Sequence, residues 1–277
     1  MLVGTVGITS DACKMTMMSR PLPPEILGLV IDQLYDEPTT LRACCLVSKS
    51  WIPQTRRYLF AHVDFGVSVH TFESWMRVFL DPSNTPAHHT RSLTIRNLPT
   101  SVPTGTDVGG WIRAFSNVVH FHFDPSVGAG HDFSLTPFLG FSPAIRSLRM
   151  TSTTFEVFDL VCSFPHLEDL ALINLSPEDG TVGWSAPLTS PKLTGSLDLC
   201  PIRGLHSAVR RLSDFPNGLH FAKIAMSCGL GQDFTWATDL VSRCSETLET
   251  LNLRCFLVGT FSSAPPDRPE PYHPSWT

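Results

Sequence analysis

A short triplet with apolar first and third positions returns eight times along this chain, and its spacing restricts the fold more than any other feature. The copies are Val63-Asp64-Phe65, Leu93-Thr94-Ile95, Phe121-His122-Phe123, Leu148-Arg149-Met150, Leu170-Ala171-Leu172, Leu197-Asp198-Leu199, Ile224-Ala225-Met226 and Leu251-Asn252-Leu253. Successive starts lie 30, 28, 27, 22, 27, 27 and 27 residues apart. The residue before each triplet is polar (His62, Ser92, His120, Ser147, Asp169, Ser196, Lys223, Thr250), and the residue three before it is mostly apolar. That is the in-out alternation of a half-buried strand. A near-constant period in the twenties predicts a solenoid with one strand per turn.

Helical spacing fills several of the intervals. Phe72, Trp75, Met76, Phe79 and Leu80 recur at i, i+3, i+4, i+7 and i+8. Leu205, Val209 and Leu212 repeat the pattern, as do Phe234, Ala237, Leu240 and Val241. Each repeat therefore reads as strand plus helix, and the α/β series resembles a degenerate leucine-rich-repeat horseshoe. The Asn or Cys of such repeats falls two residues after the last strand residue, at Asn97, Asn174 and Cys255, one place earlier than is usual. The Pro-, Gly- and Ser-rich stretch from Ser176 to Pro191 carries no helical signal. The closing "SSAPPDRPEPYHPSWT" cannot form a further repeat and reads as a tail.

Ahead of the repeats, Leu22 to Trp51 is apolar on too many sides for a surface helix and too short to stand alone. Pro23 and Pro24 suit a first helical turn, and Glu25 complements its positive end. Ile26, Leu29, Val30 and Leu34 then share one face, with Leu27 and Ile31 apolar off that face. Pro38 breaks the run, and Thr39 or Thr40 is placed to cap a second helix carrying Leu41, Cys44, Cys45 and Ser48 on one side. A third short helix is expected from Pro53 through Leu59. One apolar face of this unit has no partner within it.

Leu22-Pro23-Pro24-Glu25-Ile26, then Leu27, Val30, Leu34, Leu41, Cys45, Val47-Ser48 and Trp51, resemble an F-box in order and spacing. The resemblance covers about Arg20 to Phe60 and implies that these residues dock the adaptor subunit of an SCF-type cullin-RING ubiquitin ligase, and through it the cullin and RING subunits. The rest of the chain would then select a protein substrate. The implied organisation is a leader over 1–19, an F-box-like helical module over 20–60, a leucine-rich-repeat-like solenoid over 61–260 and a Pro-rich tail over 261–277. Such a receptor contributes proximity and orientation and is not itself an enzyme.

Composition narrows the alternatives. With 42% hydrophobic and 16% charged residues the chain reads as soluble and globular. A formal charge of −5 and a pI near 6.1 oppose general nucleic-acid binding, which needs a basic face. No run approaches the ~18 apolar residues of a membrane span, and the N-terminus lacks the basic region of a signal peptide. The 8 cysteines form no CxxC pair, so reduced thiols in the cytoplasm or nucleus are expected, without disulfides, a cysteine-based zinc site or a cofactor. The sequence holds no phosphate-binding P-loop and no HExxH. "GWSAP" around Ser185 lacks the second glycine of a nucleophile elbow, and Asn174-Leu175-Ser176 matches a glycosylation sequon by letters only. His120 and His122 share a strand face about 7 Å apart, yet Ser92, Thr94, Ser147 and Arg149 beside them supply no third ligand. Enzymatic or metal-binding use of that pair is the rival class, alongside an interaction scaffold without ligase attachment. In the aligned triplets Arg96, His120, His122 and Arg149 gather at one end of the outward face, with only Asp124 to offset them. That cluster suits an acidic or phosphorylated substrate segment.

Overall fold

The computed structural model describes residues 23–66, 71–96, 107–125, 135–154, 156–175, 190–200, 205–229 and 235–256. Three helices open it: α1 (Pro24–Asp32), α2 (Pro38–Val47) and, after a single 3-10 turn at Lys49–Trp51, α3 (Ile52–Leu59). Pro24 occupies the first turn of α1 with Glu25 beside it, as expected from the missing N–H of proline and the positive helix end. The second helix departs from expectation. Pro38 begins α2 rather than preceding it, and Glu37 is the N-cap, with the Thr40 hydroxyl donating to the Glu37 carboxylate at 2.8 Å. Leu27, Ile31, Leu41 and Cys44 make a small buried core, with Leu34, Trp51, Tyr58 and Leu59 packed against it. Tyr58 donates to Asp32 at 2.5 Å and ties α3 to α1, and that bond raises the phenol's pKa.

Eight strands follow in one parallel sheet, ordered as in the chain. They are β1 (His62–Phe65), β2 (Ser92–Arg96), β3 (His120–Asp124), β4 (Ser147–Thr151), β5 (Asp169–Ile173), β6 (Ser196–Cys200), β7 (Lys223–Gly229) and β8 (Thr250–Phe256). Every triplet lies in a strand, and the first triplet residues stand in register from Val63 to Leu251. Among the described residues five helices occupy the connections: α4 (Phe72–Phe79), α5 (Val108–Arg113), α6 (Val157–Cys162), α7 (Leu205–Ser213) and α8 (Thr235–Arg243). The strand-plus-helix rule is not uniform. Between β3 and β4 the described residues hold only a 3-10 turn at Thr136–Phe138, and the expected irregular stretch after Ser176 lies largely outside the described residues.

A parallel sheet covered on both faces reads as unbroken apolar runs. This one alternates because its helices and turns cover one face: Leu93, Ile95, Phe121, Phe123, Leu148 and Met150 are buried, while Ser92, Thr94, Arg96, His122 and Arg149 stay partly exposed. The buried face joins Phe72, Trp111, Phe138, Phe158, Leu212 and Leu240 in one continuous core. Leu80, expected on the inner stripe of α4, instead ends that helix in the left-handed conformation and is 83% exposed.

A second backbone ladder runs ahead of the strands. The Ala61 carbonyl accepts from Arg91 N and Ser92 N (2.8 and 2.9 Å), Arg91 from Val119 and His120 (2.7 and 3.0 Å), and Val119 from Arg146 and Ser147 (2.9 and 3.1 Å). Each chain segment entering a strand is thereby fixed to the next. After the strands, Ser152 and Asn174 occupy equivalent positions, both at φ 53°, and donate their N–H to Ile173 and Cys200. Asn tolerates the left-handed region well, which explains its early position in the repeat. Cys255 does not follow suit, since β8 continues through it.

Candidate protein-binding surfaces

The helical module buries one side of α1 and leaves another uncovered. Spacing alone cannot rank the two apolar faces, and the structure places Leu27 and Ile31 inside, at 5% and 0% exposure. Ile26, Leu29 and Val30 point outward at 45, 62 and 42%. On α2, Leu41 is internal, whereas Leu46 and Val47 are 89 and 69% exposed. Leu27 and Leu41, grouped from sequence with the adaptor-contacting residues, are thus core residues that hold the helices, and Leu34 and Trp51 pack partly against that core. Pro23 and Glu25 are exposed at the start of α1; Leu22 lies outside the described residues. Cys45 shares a hydrogen bond with the buried Thr55 at 2.8 Å, and the Ser48 hydroxyl accepts from Ser50 N at 3.4 Å. Leu29, which helical spacing had placed on the face of Ile26 and Val30, is exposed with them, and Leu46 and the 64%-exposed Tyr35 add apolar surface beyond the residues singled out by sequence. The only sequence signal of Leu46 and Tyr35 was an apolar content greater than one buried stripe requires.

The module is joined to the sheet through α3 and a 3-10 turn at Pro86–His89. Phe60 meets Trp75 edge-on at 5.9 Å, beside a groove of about 330 Å³ walled by Val63, Phe65, Val78 and Phe79. His89 is held below its ordinary pKa by burial, with His88, Arg56 and Arg57 adding repulsion.

On the open strand face, register turns a one-dimensional list into a grid. Thr94, His122 and Arg149 lie side by side on β2, β3 and β4, and Ser92, His120 and Ser147 form the row before them. His122 Nε2 lies 3.5 Å from the Thr151 hydroxyl. The expected basic cluster is corrected at Arg96. Its Nη2 pairs with Asp64 Oδ2 at 3.1 Å, and Asp124 stands opposite it in register. Arg96 is therefore paired with Asp64, a partner the outward alignment did not credit. Arg149 makes no hydrogen bond or ion pair among the described residues. It stands beside His122 in register on this face. No group of three or more His, Cys, Asp or Glu side chains suited to a metal ion occurs among the described residues.

Among those residues, too, no helix is long and apolar enough to cross a membrane, and Cys44, Cys45, Cys162, Cys200, Cys244 and Cys255 are free. Burial pushes the Cys162 thiol up to about 12, with Asp159 adding to the effect, and raises Cys244. Neither thiol is disposed to act as a nucleophile. No family model and no curated protein matches this chain.

Proposed function

We propose that this chain is a substrate receptor of an SCF-type ubiquitin ligase. The α1–α3 module docks the adaptor, and the strand repeats, read as a leucine-rich-repeat-like solenoid, hold the substrate. One observation carries the reading: a helical unit with its own complete core still presents Ile26, Leu29, Val30, Leu46 and Val47 outward. Fully burying an exposed side chain of this size contributes up to about 1.5–3 kcal/mol, and Ile26 and Val30, already partly covered at 45 and 42% exposure, contribute less each. The F-box resemblance supplies the identity of the partner. On the open face, Arg149 is the charge suited to a carboxylate or phosphate of the substrate, with His120 and His122 beside it as polar neighbours; Arg96 is paired with Asp64. The receptor supplies no catalytic group and takes no cofactor.

The test is copurification of the full chain with the adaptor. Val30→Asp and Leu46→Asp place a charge on the exposed face without touching the module core, and each should abolish the complex because burying an unpaired charge costs several kcal/mol. Retention of the adaptor by the double variant at wild-type stoichiometry would remove the assignment. Leu34 is unsuitable for this purpose, since it supports the core itself.

A further inference from the structure

Two pairs of basic side chains meet where the helical module joins the sheet. Arg56 and Arg57 stand in the last turn of α3, and His88 and His89 close the 3-10 turn Pro86–His89 that packs against that helix. The two imidazole rings lie 3.9 Å apart. Arg56, Arg57 and His88 are exposed and His89 is half-buried, while Thr55, Pro86 and Ala87 beside them are buried. The turn is held from both ends. His88 Nδ1 donates to the Thr85 carbonyl at 3.1 Å, the Thr85 hydroxyl accepts from Ala87 N at 3.2 Å, and the His88 carbonyl accepts from Asn117 Nδ2 at 2.7 Å.

No carboxylate answers these groups among the described residues. Neither Arg56 nor Arg57 forms an ion pair there; Arg57 instead lies over the Tyr58 ring at 5.8 Å. Asp32, which α1 brings to Tyr58, is occupied with that phenol. The charges acting on His89 are all cationic: His88 on its own turn, and Arg56 and Arg57 on the helix packed against it. Burial is the larger reason that its imidazole resists protonation, and these three add to it. Helix polarity accounts for arginine in the last turn of α3, but not for two histidines on the turn packed against it. On a protein of formal charge −5, like charges gathered at one joint make a local field that attracts an anion. We propose that this joint is a phosphate-binding site, in which Arg56, Arg57 and the imidazolium of His89 hold one phosphoryl dianion between module and sheet. Guanidinium N–H groups match the oxygens of a phosphate in pairs. The dianion favours the charged form of His89, so binding draws a proton onto that ring. The site stands apart from Arg149, which is on β4.

Calorimetric titration of the full chain with inorganic pyrophosphate, at fixed ionic strength and in two buffers of different ionisation enthalpy, tests this. One saturable site is expected, with more protons taken up at pH 7 than by His89→Gln. Arg56→Gln/Arg57→Gln should weaken binding at least tenfold with its urea transition unchanged, and Arg149→Ala should bind as the wild type does. A neutral peptide carrying one phosphoserine separates the sources. Binding as tight as that of pyrophosphate places the group on a protein chain, binding of pyrophosphate alone makes the ligand a free phosphate, and both keep the site. No saturable binding of either probe, or affinity indifferent to Arg56→Gln/Arg57→Gln, would overturn the proposal. So would equal proton uptake by His89→Gln, which would leave that ring outside the site. None of these readouts involves the adaptor.

Discussion

Replacing Gly195 with alanine probes how the repeats are fixed to one another. Along the ladder ahead of the strands one carbonyl takes two N–H groups of the next repeat, but the β5–β6 rung differs. The Glu168 carbonyl accepts only Gly195 N, at 3.0 Å, while Ser196 N and the Ser196 hydroxyl both donate to Asp169 Oδ1, at 2.6 and 2.7 Å. The carboxylate reaches them by crossing Gly195. A Cβ there would overlap Asp169 Oδ1 and lie 3.0 Å from its Cγ and 3.1 Å from Glu168 O. Gly195→Ala should therefore expel the carboxylate and lose two hydrogen bonds to a charged acceptor. At ~1.5 kcal/mol each, the low end for a half-buried group, the cost is about 3 kcal/mol. Asp169→Ala alone should cost a similar amount. In that background the same glycine change should become neutral or stabilising by up to about 1 kcal/mol, since alanine restricts the unfolded chain. Urea unfolding of the four proteins reads the cycle. Equal costs of Gly195→Ala with and without Asp169 would show that the carboxylate is not what the glycine accommodates.

Three further outcomes follow from the structure. His89 is held below its ordinary pKa, so as pH falls through the range near 6.5 the unfolded chain binds a proton the folded chain refuses; stability is lost with acidification. His89→Gln should flatten the fall in urea-unfolding stability between pH 7.5 and 5.5, and an unchanged slope would refute the assignment. Leu199→Asp places a charge at a 0%-exposed core position and should cost more than about 3 kcal/mol, measured by the same unfolding; a variant as stable as wild type would contradict the inward column. Finally, iodoacetamide at pH 8 should alkylate exposed Cys255 well before Cys162 and Cys244, as mass spectrometry of peptides would show; rapid labelling of Cys162 would contradict its burial.

The strands and their register were legible because side-chain parity has a period of two and the repeat a period near 27, so a slip at any one copy would break both patterns. Loss of burial at β8 was not legible: Leu251 and Leu253 carry the inward signature yet are 41 and 50% exposed, because β8 is the last strand of the sheet among the described residues. The Arg96–Asp64 pair joins residues 32 apart and appears only when β1 and β2 are set side by side. Asp169 and Gly195 likewise look unremarkable 26 positions apart. In the helical module, two apolar faces on α1 gave periodicity no means of choosing the inner one. Packing of Leu27 and Ile31 against Leu41 and Cys44 decides it. Leu80 failed for a local reason, since the helix ends one residue before its periodicity would.

The central claim is that the outward face of α1 and α2 docks a ligase adaptor while the strand face does something else. The most direct measurement is the mass of the full chain mixed with purified adaptor, by size exclusion with light scattering. A 1:1 complex is expected for the wild type and for Arg149→Ala, and separate species for Val30→Asp/Leu46→Asp with its unfolding transition intact. Separate species for the wild type, or a complex indifferent to the double substitution, would contradict the account.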